Sequence, residues 1–144
     1  MAYWLIKSDP DVRSFSDLAD EGYKGTEWHG VRDDETFDSF AAMQPGDLAF
    51  FYHSGDENCF FGILKILNTA HADSTDDSGQ WLSVDVAVFL RLISQVTLEQ
   101  VGNDPRLAAF ADEVENGPSV QAVSYEIWEN ICEISGMPKT PKSG

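Results

Sequence analysis

Residues 47–67 read DLAFFYHSGDENCFFGILKIL and contain two apolar runs separated by a short polar loop. Runs rich in β-branched and aromatic residues on either side of a Gly/Asp/Asn cluster are typical of two strands joined by a hairpin-like loop. We therefore predict strands over residues 47–52 and 59–67. Gly62, inside the second run, indicates a bulge or a barrel corner.

Further strands and short helices are predicted on both sides of this pair. Residues 3–7, 81–90 and 119–123 have the composition of strands. Residues suited to begin helices occur between them, namely Ser14 or Ser16, Asp33, Thr97 and Ser124. Because strands and helices do not alternate regularly, we expect an α+β domain, a mixed β-barrel of five to six strands with short helices packed around it.

The composition describes one acidic domain. The 144 residues include 9 Lys and Arg against 25 Asp and Glu, which gives a formal net charge of −16. This balance excludes a broadly basic surface that grips phosphates, so any contact with nucleic acid has to be local. We place the domain at residues 1–136 and expect a flexible tail over residues 137–144.

The chain shows no feature of a membrane or secreted protein. No apolar stretch reaches the length that spans a bilayer, and the start lacks the pattern of a signal peptide. We expect a cytoplasmic monomer with no membrane partner. Cys59 and Cys132 are accordingly expected to be buried thiols rather than a disulfide.

Motifs that carry catalysis or a cofactor are missing from the sequence. It has no Gly-x-Ser-x-Gly elbow, no Gly-x-x-x-x-Gly-Lys phosphate loop and no Gly-x-Gly-x-x-Gly turn. His53 and Ser54 are neighbours on a predicted strand, so their side chains point to opposite faces and do not form a base–nucleophile pair. The acidic residues 33–35 are interpreted as a helix N-terminus rather than a cation site. No cofactor and no metal are expected.

Aromatic and polar residues recur where predicted segments end. They are Ser8, Trp28, Arg32, Tyr52, His53, Ser54, Ser119 and Gln121, and two valines, Val31 and Val120, stand among them. Such positions can converge on one mouth of a barrel, where the Trp28 ring could stack on a base and Arg32, Ser54 or Gln121 could bond its edge. The residue types alone favour the alternative that Trp28 and Tyr52 are ordinary core aromatics.

Blocks of this sequence resemble the EVE domain family and follow the family order from about residue 3 to residue 135. The blocks are YWL with KSDP (3–5 and 7–10), EW with GVR (27–28 and 30–32), GDL with FYHS (46–48 and 51–54), GI (62–63), DST (73–75), W with VDV (81 and 84–86) and SVQAV (119–123).

The resemblance implies a PUA-like barrel, related to YTH domains, whose pocket accepts a flipped, modified base of DNA or RNA. It further implies that the base is a modified cytosine or a comparable base, and that recognition occurs without chemistry. The positions that match the family's pocket are Ser8, Trp28, Val31, Arg32, Tyr52, His53, Ser54, Ser119, Val120 and Gln121.

Two departures from the family pattern concern the pocket. Asp33 stands where the family commonly has Asn, and Gly117-Pro118 stands where it often has Arg-Leu. We include Asp33 in the predicted pocket. An ionised carboxylate only accepts hydrogen bonds, so Asp33 would favour a base with an exocyclic amine, such as N4 of cytosine.

Three hypotheses for function follow. The first is a module that reads a modified base, with Trp28, Tyr52, Ser54 and Gln121 lining one cavity and Trp28→Ala costing little stability. The second is an enzyme that acts on a small molecule or nucleotide in the same pocket, with Asp33, His53 or Asp9 as acid or base. The third is a protein-interaction module without a base ligand, in which Trp28 and Tyr52 themselves fill the pocket.

Overall fold

The computed structural model describes residues 2–144, and over that range the chain forms seven strands and five α-helices. The strands are β1 (Tyr3–Ser8), β2 (Thr26–Trp28), β3 (Leu48–His53), β4 (Cys59–Ile66), β5 (His71–Ala72), β6 (Leu82–Thr97) and β7 (Val120–Val123). The α-helices are α1 (Phe15–Asp20), α2 (Asp34–Ala42), α3 (Leu98–Asn103), α4 (Ala108–Asn116) and α5 (Tyr125–Ile134). None of these helices is long and apolar enough to cross a membrane.

The strands form one curled, mixed sheet in the order β2-β6-β4-β3-β1-β7, with β5 paired to the long strand β6. Strand β1 runs parallel to β3, and the other pairs are antiparallel. Helix α2 contacts both β7 and β6 and so connects distant parts of the sheet. The predicted α+β class with short helices around a mixed sheet is confirmed, with seven strands in place of five or six.

The pairing of β4 is irregular at Gly62, the glycine that the sequence singled out. The pairing register with β6 shifts between Phe60 and Gly62. A Cβ atom on Gly62 would lie 2.2 Å from Cε1 of Phe15, so only glycine allows α1 to pack this closely on the sheet. The predicted bulge at Gly62 is therefore confirmed.

Two apolar clusters cover the two faces of the sheet. Because neighbouring side chains on a strand point to opposite faces, Phe51 belongs to one cluster and Tyr52 to the other. The cluster around Phe51, called the Phe51 cluster below, includes Trp28 and residues of α1 and α2. The cluster around Trp128, called the Trp128 cluster, includes residues of α4 and α5.

Replacing Ile131 with alanine is expected to lower the free energy of unfolding by about 3 kcal/mol. Ile131 has no exposed surface and packs in the Trp128 cluster, so the change leaves a cavity. Urea denaturation followed by circular dichroism measures the loss. The control is Ile93→Ala, because Ile93 is 63% exposed and its loss should stay within about 0.5 kcal/mol. Equal losses for the two variants would contradict the packing described here.

The last residues fold back onto the sheet, which differs from the expected flexible tail over residues 137–144. The Trp128 Nε1–H donates to the Pro141 carbonyl at 2.9 Å. The Ser143 hydroxyl donates to the Ala2 carbonyl at 2.6 Å and accepts from the Leu48 N–H at 2.9 Å. Ser143 is buried, so this segment packs as part of the domain rather than leaving it after residue 136.

Both cysteines are buried free thiols. Burial, with a smaller contribution from Glu57, raises the pKa of Cys59 to about 11. Burial, assisted by Glu129, raises the pKa of Cys132 to about 12. Because the thiolate is the reactive form, neither side chain is suited to act as a nucleophile at neutral pH.

Candidate functional site

A cavity of about 290 Å³ opens where β1 and β2 end. We call it the Trp28 cavity. Its lining residues are Lys7, Ser8, Val12, Arg13, Trp28, His29, Gly30, Val31 and Ser119. Four residues of the predicted pocket, Ser8, Trp28, Val31 and Ser119, are therefore brought together here.

Trp28 forms one wall of the cavity and is also part of the core. Its ring meets Phe51 edge-on, with 5.6 Å between ring centroids. The Arg13 guanidinium lies over the ring at 4.6 Å from the centroid. Only 5% of Trp28 is exposed, and Phe51, Arg13 and the rest of the Phe51 cluster cover it.

The Arg13 guanidinium is held in this place by the strand that carries Trp28. Its Nη1 donates to the Glu27 carbonyl at 3.1 Å, and its Nη2 donates to Nε2 of His29 at 3.2 Å. The Arg13 backbone is fixed as well: its N–H donates to the Asp9 carbonyl at 2.9 Å, and its carbonyl accepts from the Ser8 hydroxyl at 2.6 Å. The loop that follows β1 therefore presents Arg13 in a defined position.

Lys7 adds a second positive charge to the cavity. Its Nζ donates to the carbonyls of Val114 and Gly117, at 2.7 and 2.9 Å, at the C-terminal end of α4. Burial lowers the pKa of Lys7, and the nearby Asp33 carboxylate partly opposes this effect. Two of the three ammonium hydrogens are used in these bonds, which leaves one for a ligand.

Arg32, which was predicted to reach a base, is instead bound to the loop after β5. Its Nη1 donates to Oδ2 of Asp73 at 2.8 Å, and its Nη2 donates to Oγ1 of Thr75 at 3.1 Å. The same Asp73 oxygen accepts from the Gly30 N–H at 2.7 Å. Arg32 therefore positions the wall of the Trp28 cavity and, unlike the prediction, is not one of its lining residues.

Asp73 is the buried anchor of this loop. Burial alone would raise the pKa of its carboxyl group. Hydrogen bonds from Thr75, Gly30 and Arg32 outweigh that effect and hold the pKa of Asp73 well below its ordinary value. The carboxylate is therefore ionised at neutral pH and links residues 30–32 to the loop at residue 73.

Asp33 lies outside the Trp28 cavity and begins α2. Its two carboxylate oxygens accept from the Thr36 N–H at 2.7 Å and the Thr36 hydroxyl at 3.0 Å. It faces a neighbouring cavity of about 570 Å³, which Ser119 shares with the Trp28 cavity. The structure therefore does not place Asp33 among the lining residues of the Trp28 cavity, although we predict it in the pocket, and its carboxylate caps a helix.

The Gly117-Pro118 departure has a steric reason at its first position. A Cβ atom on Gly117 would lie 2.3 Å from the Glu113 carbonyl oxygen and 2.7 Å from Oε1 of Gln121. The backbone after α4 thus passes so close to its surroundings that only glycine fits. The same backbone path places the Gly117 carbonyl oxygen where it accepts a hydrogen bond from Nζ of Lys7.

Tyr52 and Gln121 lie on the other face of the sheet. Tyr52 is 2% exposed and packs in the Trp128 cluster, where burial raises its pKa to about 12. Gln121 pairs with Leu5, which belongs to the same cluster, so its side chain lies on that face too. The prediction that both residues share a cavity with Trp28 is wrong.

His53, Ser54 and Val120 support the site without lining it. Nε2 of His53 accepts from the Phe15 N–H at 3.0 Å, so Nδ1 carries the ring hydrogen and donates to Glu57 at 2.5 Å. The Ser54 N–H donates to the Ser8 carbonyl at 2.9 Å. Val120 has no exposed surface and packs in the Phe51 cluster. These contacts correct the prediction that the three residues lie in the pocket.

The lining residues that sequence reasoning missed are Lys7, Val12, Arg13, His29 and Gly30. Lys7 and Val12 lie within four residues of Ser8 in the sequence, and His29 and Gly30 directly follow Trp28. Closeness in sequence to a predicted pocket residue could therefore have indicated these four. Arg13 had no such signal, because its role depends on contact with a ring fifteen residues further along the chain. Within residues 2–144 no group of three or more His, Cys, Asp or Glu side chains is placed to hold a metal ion.

One family model and several curated relatives match the sequence of this chain. The family model described as "EVE domain" matches residues 2–134. Thymocyte nuclear protein 1 of Rattus norvegicus is 32% identical over 127 residues, which cover 69% of this chain and 54% of that protein. The chain thus spans about half the length of the curated relatives it matches.

Solved structures share the fold over nearly the whole chain. Protein Atu2648 from Agrobacterium tumefaciens superposes with a TM-score of 0.93 at 32% identity, covering 100% of this chain and 99% of that chain. Human THYN1, solved in complex with DNA containing 5-methylcytosine, superposes with a TM-score of 0.84 at 24% identity, covering 98% and 100%. The PUA-like fold implied by the sequence is confirmed. Because the family model matches more than nine-tenths of the residues, the chain belongs to the EVE domain family.

Proposed function

We propose that this chain is a module that binds DNA or RNA carrying a modified, cytosine-type base and holds that base in the Trp28 cavity without changing it chemically. The observation that carries the proposal is the cavity itself, which combines an aromatic wall with the cations Lys7 and Arg13. Its volume of about 290 Å³ lies just below the range of about 300–1,000 Å³ for pockets that hold drug-sized ligands, so it suits a ligand as small as one base.

The class of ligand is supported by a relative. The structure of human THYN1 contains DNA with 5-methylcytosine, and that protein has the same fold as this chain. Asp33 supplies no preference for cytosine, because both oxygens of its carboxylate accept hydrogen bonds from Thr36 at the start of α2. The preference for a cytosine-type base therefore rests on the relative and is part of the proposal.

Recognition without chemistry agrees with how the candidate acid and base groups are used. Asp33 caps α2, and His53 is bonded through both ring nitrogens. The Asp9 carboxylate accepts from the Asp11 N–H at 2.9 Å inside its own loop. Each of the three residues that the enzyme hypothesis names as acid or base therefore makes hydrogen bonds within the fold.

The interaction-module hypothesis required Trp28 and Tyr52 to fill the pocket. Tyr52 lies on the opposite face, and an open cavity remains beside Trp28. This arrangement favours a small planar ligand in the cavity over a cavity that Trp28 and Tyr52 fill themselves.

Binding should depend only weakly on salt. With Lys7 and Arg13 as the two cations at the cavity, a single strand should show a slope of about −1.4 in log K against log salt concentration. A net charge of −16 repels a polyanion at long range, but screening limits that repulsion to about 8 Å at physiological ionic strength.

The test is a fluorescence-anisotropy titration of short single strands that differ only at one central base. The bases are cytosine, 5-methylcytosine, 5-hydroxymethylcytosine and thymine. We expect a modified cytosine to bind at least about fivefold tighter than cytosine. The matching duplex should bind more weakly than the single strand, because extruding a base costs a few kcal/mol. Equal affinity for all four bases, or no binding at moderate salt, would remove the basis of the proposal.

A further inference from the structure

The aromatic wall of the Trp28 cavity is covered in this structure. The Arg13 guanidinium lies 4.6 Å from the centroid of the Trp28 ring, and the ring edge rests on Phe51. With 5% of its surface exposed, Trp28 has no free face the size of a base. A base can stack on Trp28 only if the guanidinium moves.

The contacts of Arg13 restrict how it can move. Its backbone is fixed by the bonds to Ser8 and Asp9, so the movement belongs to the side chain. Complete withdrawal would forfeit the cation–π contact with Trp28 and the bonds to Glu27 and His29. A lift by the thickness of one base also breaks the bonds to Glu27 and His29, but it exchanges the contact with the ring for a stack on the base, since bases stack on arginine planes as they do on aromatic rings.

We propose that Arg13 is the second wall of the pocket, so that a modified base inserts between the Trp28 ring and the Arg13 guanidinium. This inference rests on the proposed function and adds a rule of specificity to it. The guanidinium carries a permanent positive charge against the face of the base. A neutral modified base is attracted by that charge, whereas a base that is itself positively charged is repelled. Arg13 thereby selects neutral modified bases.

The experiment uses free nucleosides, which lack phosphate groups and so report on the pocket alone. 5-Methylcytidine is neutral at pH 7, and 3-methylcytidine is positively charged. Both are titrated by NMR into wild type, Arg13→Ala and Arg13→Gln. The matched control is Arg91→Ala, because Arg91 also lies over an aromatic ring, Phe15 at 5.0 Å, but does not line the Trp28 cavity.

We expect both Arg13 variants to bind 5-methylcytidine about five- to tenfold more weakly and to bind 3-methylcytidine more tightly than wild type does. Arg91→Ala should leave both affinities unchanged. Suppose that wild type binds 5-methylcytidine and that the Arg13 variants bind it equally well or better. Arg13 then covers the Trp28 ring without contacting the bound base, so the inference is overturned while the proposed function stands. If wild type binds no modified nucleoside or strand, both proposals fall together.

Discussion

Replacing Trp28 with alanine is expected to lower the free energy of unfolding by about 3–5 kcal/mol and to weaken binding of a 5-methylcytosine single strand at least about tenfold. The loss of stability follows from burial, because Trp28 is 5% exposed and packs edge-on against Phe51. The sequence alone predicts only a modest loss of stability for this change, and the burial of Trp28 replaces that prediction with a large loss. The loss of affinity follows from removing the surface on which the base stacks.

Two companion variants separate these effects. Trp28→Phe keeps an aromatic ring against Phe51, so it should remain folded and lose several-fold in affinity. Trp81→Ala removes a tryptophan that contacts Phe37, outside the Trp28 cavity, and should keep the affinity of wild type. Urea denaturation and anisotropy measure the two quantities. Unchanged affinity in a folded Trp28→Phe or Trp28→Ala protein would contradict the site.

Replacing Asp73 with alanine is expected to lower the free energy of unfolding by about 3–4 kcal/mol and to weaken base binding as well. Asp73 is 2% exposed, and its carboxylate accepts hydrogen bonds from Gly30, Arg32 and Thr75. Its removal leaves these donors without their partner and releases the loop that carries Val31 into the Trp28 cavity. Thermal and urea denaturation measure the stability.

The pH dependence of that loss distinguishes the carboxylate from simple packing. The pKa of Asp73 is lower in the folded chain than in the unfolded one, where it is about 3.9. Its contribution to stability is therefore fully present above pH 5 and is lost as the pH falls through about 4 and below. The difference between wild type and Asp73→Ala should be large at pH 7 and smaller at pH 3. A difference that does not change with pH would contradict the role of the charge.

Local signals predicted most of the fold. The two apolar runs form β3 and β4, because β-branched and aromatic side chains fit the pleated, buried surface of a sheet. The Thr97 capping box formed because both of its bonds lie within four residues of sequence. Strands β2 and β5 were missed, since three and two residues are too few to show an alternating pattern.

The candidate site was predicted only in part. Trp28 and Ser119 meet because β2 ends and β7 begins at the same side of the curled sheet. Tyr52 was assigned to the wrong face, although alternation along β3 already separates it from Phe51. Arg32 is predicted in the pocket from its place at a segment end and from the family resemblance. Its ion pair with Asp73 escapes prediction, because Asp73 lies 41 residues away and leaves no local pattern.

A titration with 5-methyl-2′-deoxycytidine, followed through the indole N–H resonances of the four tryptophans, tests whether a base binds in the Trp28 cavity. Trp28→Phe assigns the resonance of Trp28, and Trp128 serves as an internal control on the opposite face of the sheet. We predict that the Trp28 resonance shifts in a saturable way while the Trp128 resonance stays in place. A saturable shift of Trp128 without Trp28, or no shift of Trp28 at the highest nucleoside concentration, would contradict a base-binding site in the Trp28 cavity.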